Sequence, residues 1–97
     1  MKHISIDFNN VMNEITLHEE FKKSLGFQNY WATNFNGWID CIDEISNELT
    51  IIEIINTTSL NELRQDLLLH ILSSAAFVNH RKIDQNEQPT LMISIDN

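Results

Sequence analysis

Leu49-Thr50-Ile51-Ile52-Glu53-Ile54-Ile55 decides the fold class. The run is too short for a stable helix and rich in β-branched residues, which favour extended backbone. A nearly continuous apolar run reads as a strand covered on both faces, as in a parallel sheet. Upstream, His3 to Phe8 alternates, with Ile4, Ile6 and Phe8 on one side and Ser5 and Asp7 on the other, a second strand followed by a turn at Asn9-Asn10. Downstream, Pro89 opens a third, Thr90 to Ile95.

The segments between these strands carry helical spacing. Thr16 is the expected N-cap of a first helix, with Glu19 as its capping-box partner. Leu17, Phe21 and Leu25 then recur every four residues, and Gly26 is placed to end the helix. Phe27 to Thr33 is aromatic and irregular. A second helix is expected over about Asn34 to Asn47, with Phe35, Trp38, Ile42, Ile45 and Leu49 forming its core stripe. After a turn and cap cluster at Asn56 to Ser59, a long helix presents Leu60, Leu63, Leu67, Leu68, Ile71, Leu72, Ala75 and Ala76 to the core. It is expected to fade near Val78-Asn79, leaving His80 to Gln88 as a polar connection.

The order is therefore β-α-α-β-α(α)-β. Helices between successive strands favour right-handed crossovers and a parallel sheet. The expected architecture is a small α/β domain spanning residues 1–97, with a three-stranded parallel sheet packed with helices. A hydrophobic fraction of 42% supplies one core without disulfides or a structural metal.

Charge narrows the function. Fourteen acids against six bases give a net charge of -8, which argues against direct nucleic-acid binding and makes any partner a basic one, although taken by itself the charge is accounted for by solubility. The two basic pairs, Lys22-Lys23 and Arg81-Lys82, sit where helices are expected to end, so each reads as a cation favoured by the helix dipole. The single cysteine, Cys41, permits no internal disulfide and agrees with a reducing compartment. The first residues lack the apolar run of a signal peptide, and no stretch approaches the roughly 18 apolar residues of a membrane span. A cytoplasmic location is expected, with no membrane association.

The outer face of the second helix stands out. Asn36, Asp40, Asp43 and Asn47 follow one another at spacings of four, three and four, with Glu44 beside them. No Lys or Arg lies between Tyr30 and Asn47 to neutralise these carboxylates. Like charges at such spacing cost ~0.2–0.5 kcal/mol each. An external cation would compensate them. On spacing alone, a solvated face of an acidic protein is the plainer account.

The stretch Leu25-Gly26-Phe27-Gln28-Asn29-Tyr30-Trp31-Ala32-Thr33-Asn34-Phe35-Asn36-Gly37-Trp38-Ile39-Asp40-Cys41-Ile42 resembles the central segment of the barstar family. There an aromatic pair leads, through a short loop and an Asn, into a helix with an Asp-Cys pair. Leu17-His18 resembles the Leu-His of the family's first helix, and Glu53 falls where the family has a strand glutamate. The order of elements also agrees, so the resemblance covers essentially the whole chain.

The resemblance implies a protein inhibitor of a secreted ribonuclease. Such an inhibitor lays its second helix and preceding loop into the enzyme's active site. Its carboxylates take the ground of substrate phosphate and meet the enzyme's Arg, Lys and His. Asp40 matches the principal acidic contact, Tyr30 the aromatic that covers the active site, and Asn34 the loop Asn. The chain departs from the pattern at several positions. Asn36 stands for a usual second Asp, Ala32 for a usual Gly, and Ile39 for a frequent Trp. Ser73 and Ser74 lie where a further acidic contact is expected. Asp43 and Glu44 would supply replacement charge one turn later. These departures point to a cognate toxin other than the family's best-known ribonuclease, as for an immunity protein against a polymorphic toxin.

Other readings of single residues are plainer. Cys41, flanked by acids that disfavour a thiolate, reads as a core or half-buried thiol. His3, His18, His70 and His80 are widely separated and show no metal-ligand spacing. Asp40 with Glu44 as an acid/base pair would need a cleft, and none is expected on an exposed helix face. Trp38 falls on the core stripe, while one of Tyr30 and Trp31 is expected to be partly exposed.

The candidate partner-binding residues are thus Tyr30, Trp31, Asn34, Asn36, Ile39, Asp40, Asp43 and Glu44. The expected partner is a basic protein, a ribonuclease toxin. No cofactor, metal or catalytic residue is expected, and the chain is taken to act as a monomer. The alternative is an interaction or regulatory module of the same fold with a non-nuclease partner.

Overall fold

The computed structural model describes residues 1–96. The chain forms β1 (Lys2–Asp7), a 3-10 turn at Phe8–Asn10, α1 (Glu14–Leu25), α2 (Phe35–Ile45), β2 (Thr50–Ile55), α3 (Glu62–Asp84) and β3 (Leu91–Ile95). The strands form one sheet in the order β1-β2-β3, and both pairings are parallel. The expected α/β architecture is the one observed.

Register places Ile4, Ile52 and Ile93 side by side, and Ile6 beside Ile54. Ile4, Ile6, Ile52 and Ile54 are buried on that side with Thr50 and Leu91. The other side carries His3, Ser5, Ile51, Glu53, Met92 and Ser94, all at least partly accessible. The reading of β2 as covered on both faces is therefore corrected: its burial alternates. A strand order that advances one way explains this, because crossovers of one hand then place every helix on the same face.

An asparagine caps each helix. The side-chain oxygens of Asn13, Asn34 and Asn61 accept hydrogen bonds from the backbone N–H of Thr16, Gly37 and Arg64. The expected Thr16 cap is thus corrected by three residues. Thr16 is instead the N3 member of a capping box, its hydroxyl accepting from the N–H of Asn13 and of Met12. An earlier start places Ile15 outward, where it is 71% exposed. Gly26 ends α1 as expected, at φ +92, where a side chain would be strained.

α3 does not fade at Val78. It continues to Asp84, with Leu67, Ile71, Ser74, Ala75, Val78 and Lys82 buried at helical spacing. Leu63 and Ala76, expected inside, face solvent. The polar run after Val78 stays helical because its inward members have partners on other elements. Asn79 is one: its amide donates to the Leu91 carbonyl at 2.7 Å and accepts from the Leu91 N–H at 3.0 Å. The side chain thus stands in for a neighbouring strand at the β3 edge. At the β1 edge, Ser24 donates to the Ser5 carbonyl and Glu20 accepts from the Asp7 N–H.

The core on the covered face is aromatic toward α2. Phe21 meets Tyr30 in a stacked pair and Trp38 edge-on, with centroids 5.6 and 5.8 Å apart. Leu17, Val11 and Ile42 are buried in the same cluster.

The observed caps make a direct expectation. Asn13→Ala and Thr16→Ala each lower stability by about 1 kcal/mol in urea unfolding. Glu19→Ala changes it by less than about 0.5 kcal/mol, as for an ordinary surface position.

Candidate partner-binding face

α2 lies between the core and solvent, and its sequence divides accordingly. Phe35, Trp38, Cys41 and Ile42 are buried. Asn36, Asp40, Glu44 and Asn47 are exposed, while Ile39 and Asp43 are intermediate. Leu49, assigned to the core stripe, lies beyond the helix end and is exposed.

The preceding loop approaches α2 in near-extended alternation. Tyr30 and Ala32 are buried, and Trp31 between them is 53% exposed. Of the two aromatics, one of which is expected to be partly exposed, Trp31 is the exposed one, and Tyr30, named as a candidate contact, is buried. Its ring stacks against Phe21, and its hydroxyl lies 2.7 Å from His18 Nδ1. Burial pushes the Tyr30 phenol up, so it stays protonated. Trp31 is the aromatic that faces outward beside the acidic helix, with exposed Thr33, Asn34 and Asn36 after it. Ala32 has its own accommodation. A Cβ placed on Gly37 would lie 3.4 Å from the Ala32 methyl, so the missing side chain on α2 leaves room for the loop.

The carboxylates of α2 are not left without cations. Lys82 Nζ lies 2.9 Å from Asp43, and Arg81 Nη2 donates to the other Asp43 oxygen. Arg81 Nη1 also lies 3.5 Å from Asp40. The reading of an external cation as their compensation is therefore corrected for Asp43, and Asp40 too has a cation of the chain nearby. Both cations come from the last turns of α3, beyond the point where that helix was expected to end. Both lie in the last turn of α3, as expected of cations favoured by the helix dipole, and there they also meet the carboxylates of α2. The continued three- and four-residue spacing from Ala75 through Val78 to Lys82 is the sequence signal for this placement.

The carboxylates differ in environment. Burial works against charge on Asp43, but hydrogen bonds from Lys82 and Arg81, and their charges, outweigh it and hold its carboxyl below the usual 3.8. The Asp43 side chain is 25% exposed, whereas that of Asp40 is 63% exposed. Asp43 is thus committed within the chain, and Asp40 is presented outward.

A cleft of about 540 Å³ opens beside them, lined by Asp40, Asp43, Glu44 and Lys82 with Gln85, Glu87 and Thr90 among others. The expectation of a face without a cleft is corrected. No histidine or thiol lines it. Cys41 is buried, and burial pushes its thiol up, as expected of a core cysteine. Among the described residues, no group of acidic, His and Cys side chains is arranged to hold a metal.

Further side chains border this surface, and of these His70 and Phe77 are not among the contacts expected from sequence. His70 stacks on Phe35 at 3.7 Å. Phe77 is 49% exposed, and the Arg81 guanidinium lies 5.8 Å from its ring centre. Ser73, where the resemblance implies an acid, is exposed, but Ser74 is buried.

Two measurements follow. Asp43→Asn leaves the buried Lys82 ammonium without its carboxylate and costs about 2 kcal/mol in urea unfolding, while Glu44→Gln costs less than about 0.5 kcal/mol. His18 gives a pH dependence. Burial lowers its pKa from 6.5, against the opposing pull of Glu14. The unfolded chain takes up the proton first, so this stability is full above 6.5 and declines as pH falls below it. NMR titration is expected to place the His18 midpoint below 6.5, with a parallel fall in the urea midpoint.

No curated protein matches the chain at a significant level. The family described as barstar (barnase inhibitor) does match, over residues 1–89 of the 97. That match spans β1 through the whole of α3, including every candidate contact on α2, and the chain belongs to the barstar family.

Proposed function

We propose that this chain is an inhibitor that binds a basic ribonuclease toxin through the outer face of α2 and the loop before it. The observation that carries the reading is the alignment of Trp31, Asn34, Asn36, Asp40 and Glu44, all exposed, on one continuous stretch beside the half-buried Ile39. Asp40 offers carboxylate oxygens to an arginine or lysine of the enzyme, a charge-assisted contact that strengthens as water leaves. Trp31 supplies the aromatic anchor common at such interfaces. Tyr30 acts from within, fixing the loop through His18 and Phe21. Asp43 holds α2 against α3.

The mode of action is blockade. Substrate phosphate and Asp40 compete for the same cations, so occupation by the inhibitor excludes RNA. No cofactor, metal or catalytic step is required. The partner differs from the enzyme that gives the family its description, because Asn36 carries no charge and Asp40 has Arg81 beside it. The chain works as one domain, a monomer, in the cytoplasm. A lone buried cysteine fits that setting, and no helix among the described residues is long and apolar enough to cross a membrane.

A second reading keeps the surface and changes the partner: a regulatory module that binds a protein other than a nuclease. The reduced charge at the centre of the face supports it. The two separate on one experiment. The partner captured from the source organism is tested for RNA cleavage, alone and with the chain added. The inhibitor reading expects cleavage that the chain suppresses, and at least a ten-fold loss of affinity for Asp40→Ala. A partner that cleaves no RNA favours the regulatory module. A partner that binds Asp40→Ala as tightly as the parent removes Asp40 from the interface.

A further inference from the structure

Arg81 stands beside the carboxylate that an incoming cation would seek. Its Nη1 lies 3.5 Å from Asp40 and its Nη2 donates to Asp43. A guanidinium is planar, with its donors in fixed directions, so two prongs on two carboxylates leave it little freedom. The Phe77 ring, 5.8 Å from its centre, borders a further side. Two of the chain's six Lys and Arg residues therefore serve this patch, in a chain of net charge -8. Lys82 alone already satisfies an Asp43 oxygen at 2.9 Å, so Arg81 adds charge where a cation was already in place.

The contact with Asp40 is the longer of the two, and the Asp40 side chain is 63% exposed. A partner can still reach Asp40, but only with Arg81 alongside. At physiological salt, charges are screened over about 8 Å, a distance that the Arg81 to Asp40 contact falls well inside. An enzyme cation docking on Asp40 would meet Arg81 at close range, with Asn36 offering no second carboxylate one turn away.

We propose that Arg81 is a specificity-determining residue. It screens Asp40 and repels enzymes that offer only cations to this face. The partner it fits brings a cation to Asp40 and a hydrogen-bond acceptor, a carboxylate or amide oxygen, to Arg81. The proposal rests on the inhibitor reading above and concerns which ribonucleases the same face accepts.

The probe is barnase, the enzyme named in the family description. Its association rate and affinity are measured by stopped-flow and by inhibition of RNA cleavage, at low and at physiological salt. The proteins are the parent, Arg81→Gln, Arg81→Lys, Asp40→Ala and the double variant Arg81→Gln/Asp40→Ala. Circular dichroism and urea unfolding establish that each is folded. Arg81→Gln is expected to bind at least ten-fold tighter than the parent, with a faster association that salt diminishes. Arg81→Lys, which keeps the charge, stays within about three-fold of the parent. Adding Asp40→Ala to Arg81→Gln removes the gain. If Arg81→Gln binds barnase no tighter than the parent, or neither binds, Arg81 is not the barrier and the proposal is overturned. The inhibitor reading would survive that result, because it is judged on the chain's own partner. If Arg81→Gln binds tighter and the double variant keeps the gain, screening of Asp40 is overturned, together with Asp40 as the centre of the face.

Discussion

Lys82 reaches Asp43 from the last turn of α3 with its side chain almost wholly out of water. A buried ammonium is tolerated only when a carboxylate meets it, and breaking one side of such a pair is costly. This contact ties the solvent-facing helix to the long helix beside it. α2 is only eleven residues long, and at its end the Lys2 ammonium of β1 donates to the Ile45 carbonyl at 2.9 Å. Its position depends on the Phe35-Trp38-Ile42 stripe beneath and on Asp43 at its flank. The presentation of Asp40, one turn earlier, depends in turn on where α2 sits.

The loop before α2 is fixed by a different device. Tyr30 turns inward to His18 and Phe21, and Asn34 caps the helix. Between these two anchors, Trp31 is set on the outside by the alternation of extended backbone. Side chains held in place before binding lose less freedom on binding. An aromatic core and a polar outer face are thus consequences of the same few residues.

The fold was largely legible because its signals were local. Four isoleucines in Thr50 to Ile55, the alternation of Ile4 and Ile6, and Gly26 each act within a few residues. Sequence and structure part where the deciding partner is distant along the chain. Asn79 stays helical because Leu91 needs its amide, and Lys82 is buried because Asp43 is there. The Asn13 cap was missed because its partner is a threonine, whereas the familiar box pairs a hydroxyl with a glutamate. At the site, the exposed line of Asn36, Asp40 and Glu44 could be read from helical spacing. That Tyr30 turns in while Trp31 turns out could not, because an irregular loop has no period. Arg81 lies 41 residues from Asp40, and the spacing of α3 reports that Lys82 turns inward but not which carboxylates the pair meets.

The side chains along the sheet edges bear on solubility. A three-stranded sheet has two edge strands, and parallel edges left bare invite further strands and aggregation. Here Ser24 and Glu20 occupy backbone groups of β1, and Asn79 occupies both groups of Leu91 on β3. Each acts as a stopper placed on a main-chain position where a foreign strand would begin to pair. They act in the plane of the sheet, and leave its open face, with Ile51 and Met92, as it is. Asn79, one of the polar residues that obscure the end of α3 in the sequence, thus closes a main-chain position at which strand addition to β3 would begin.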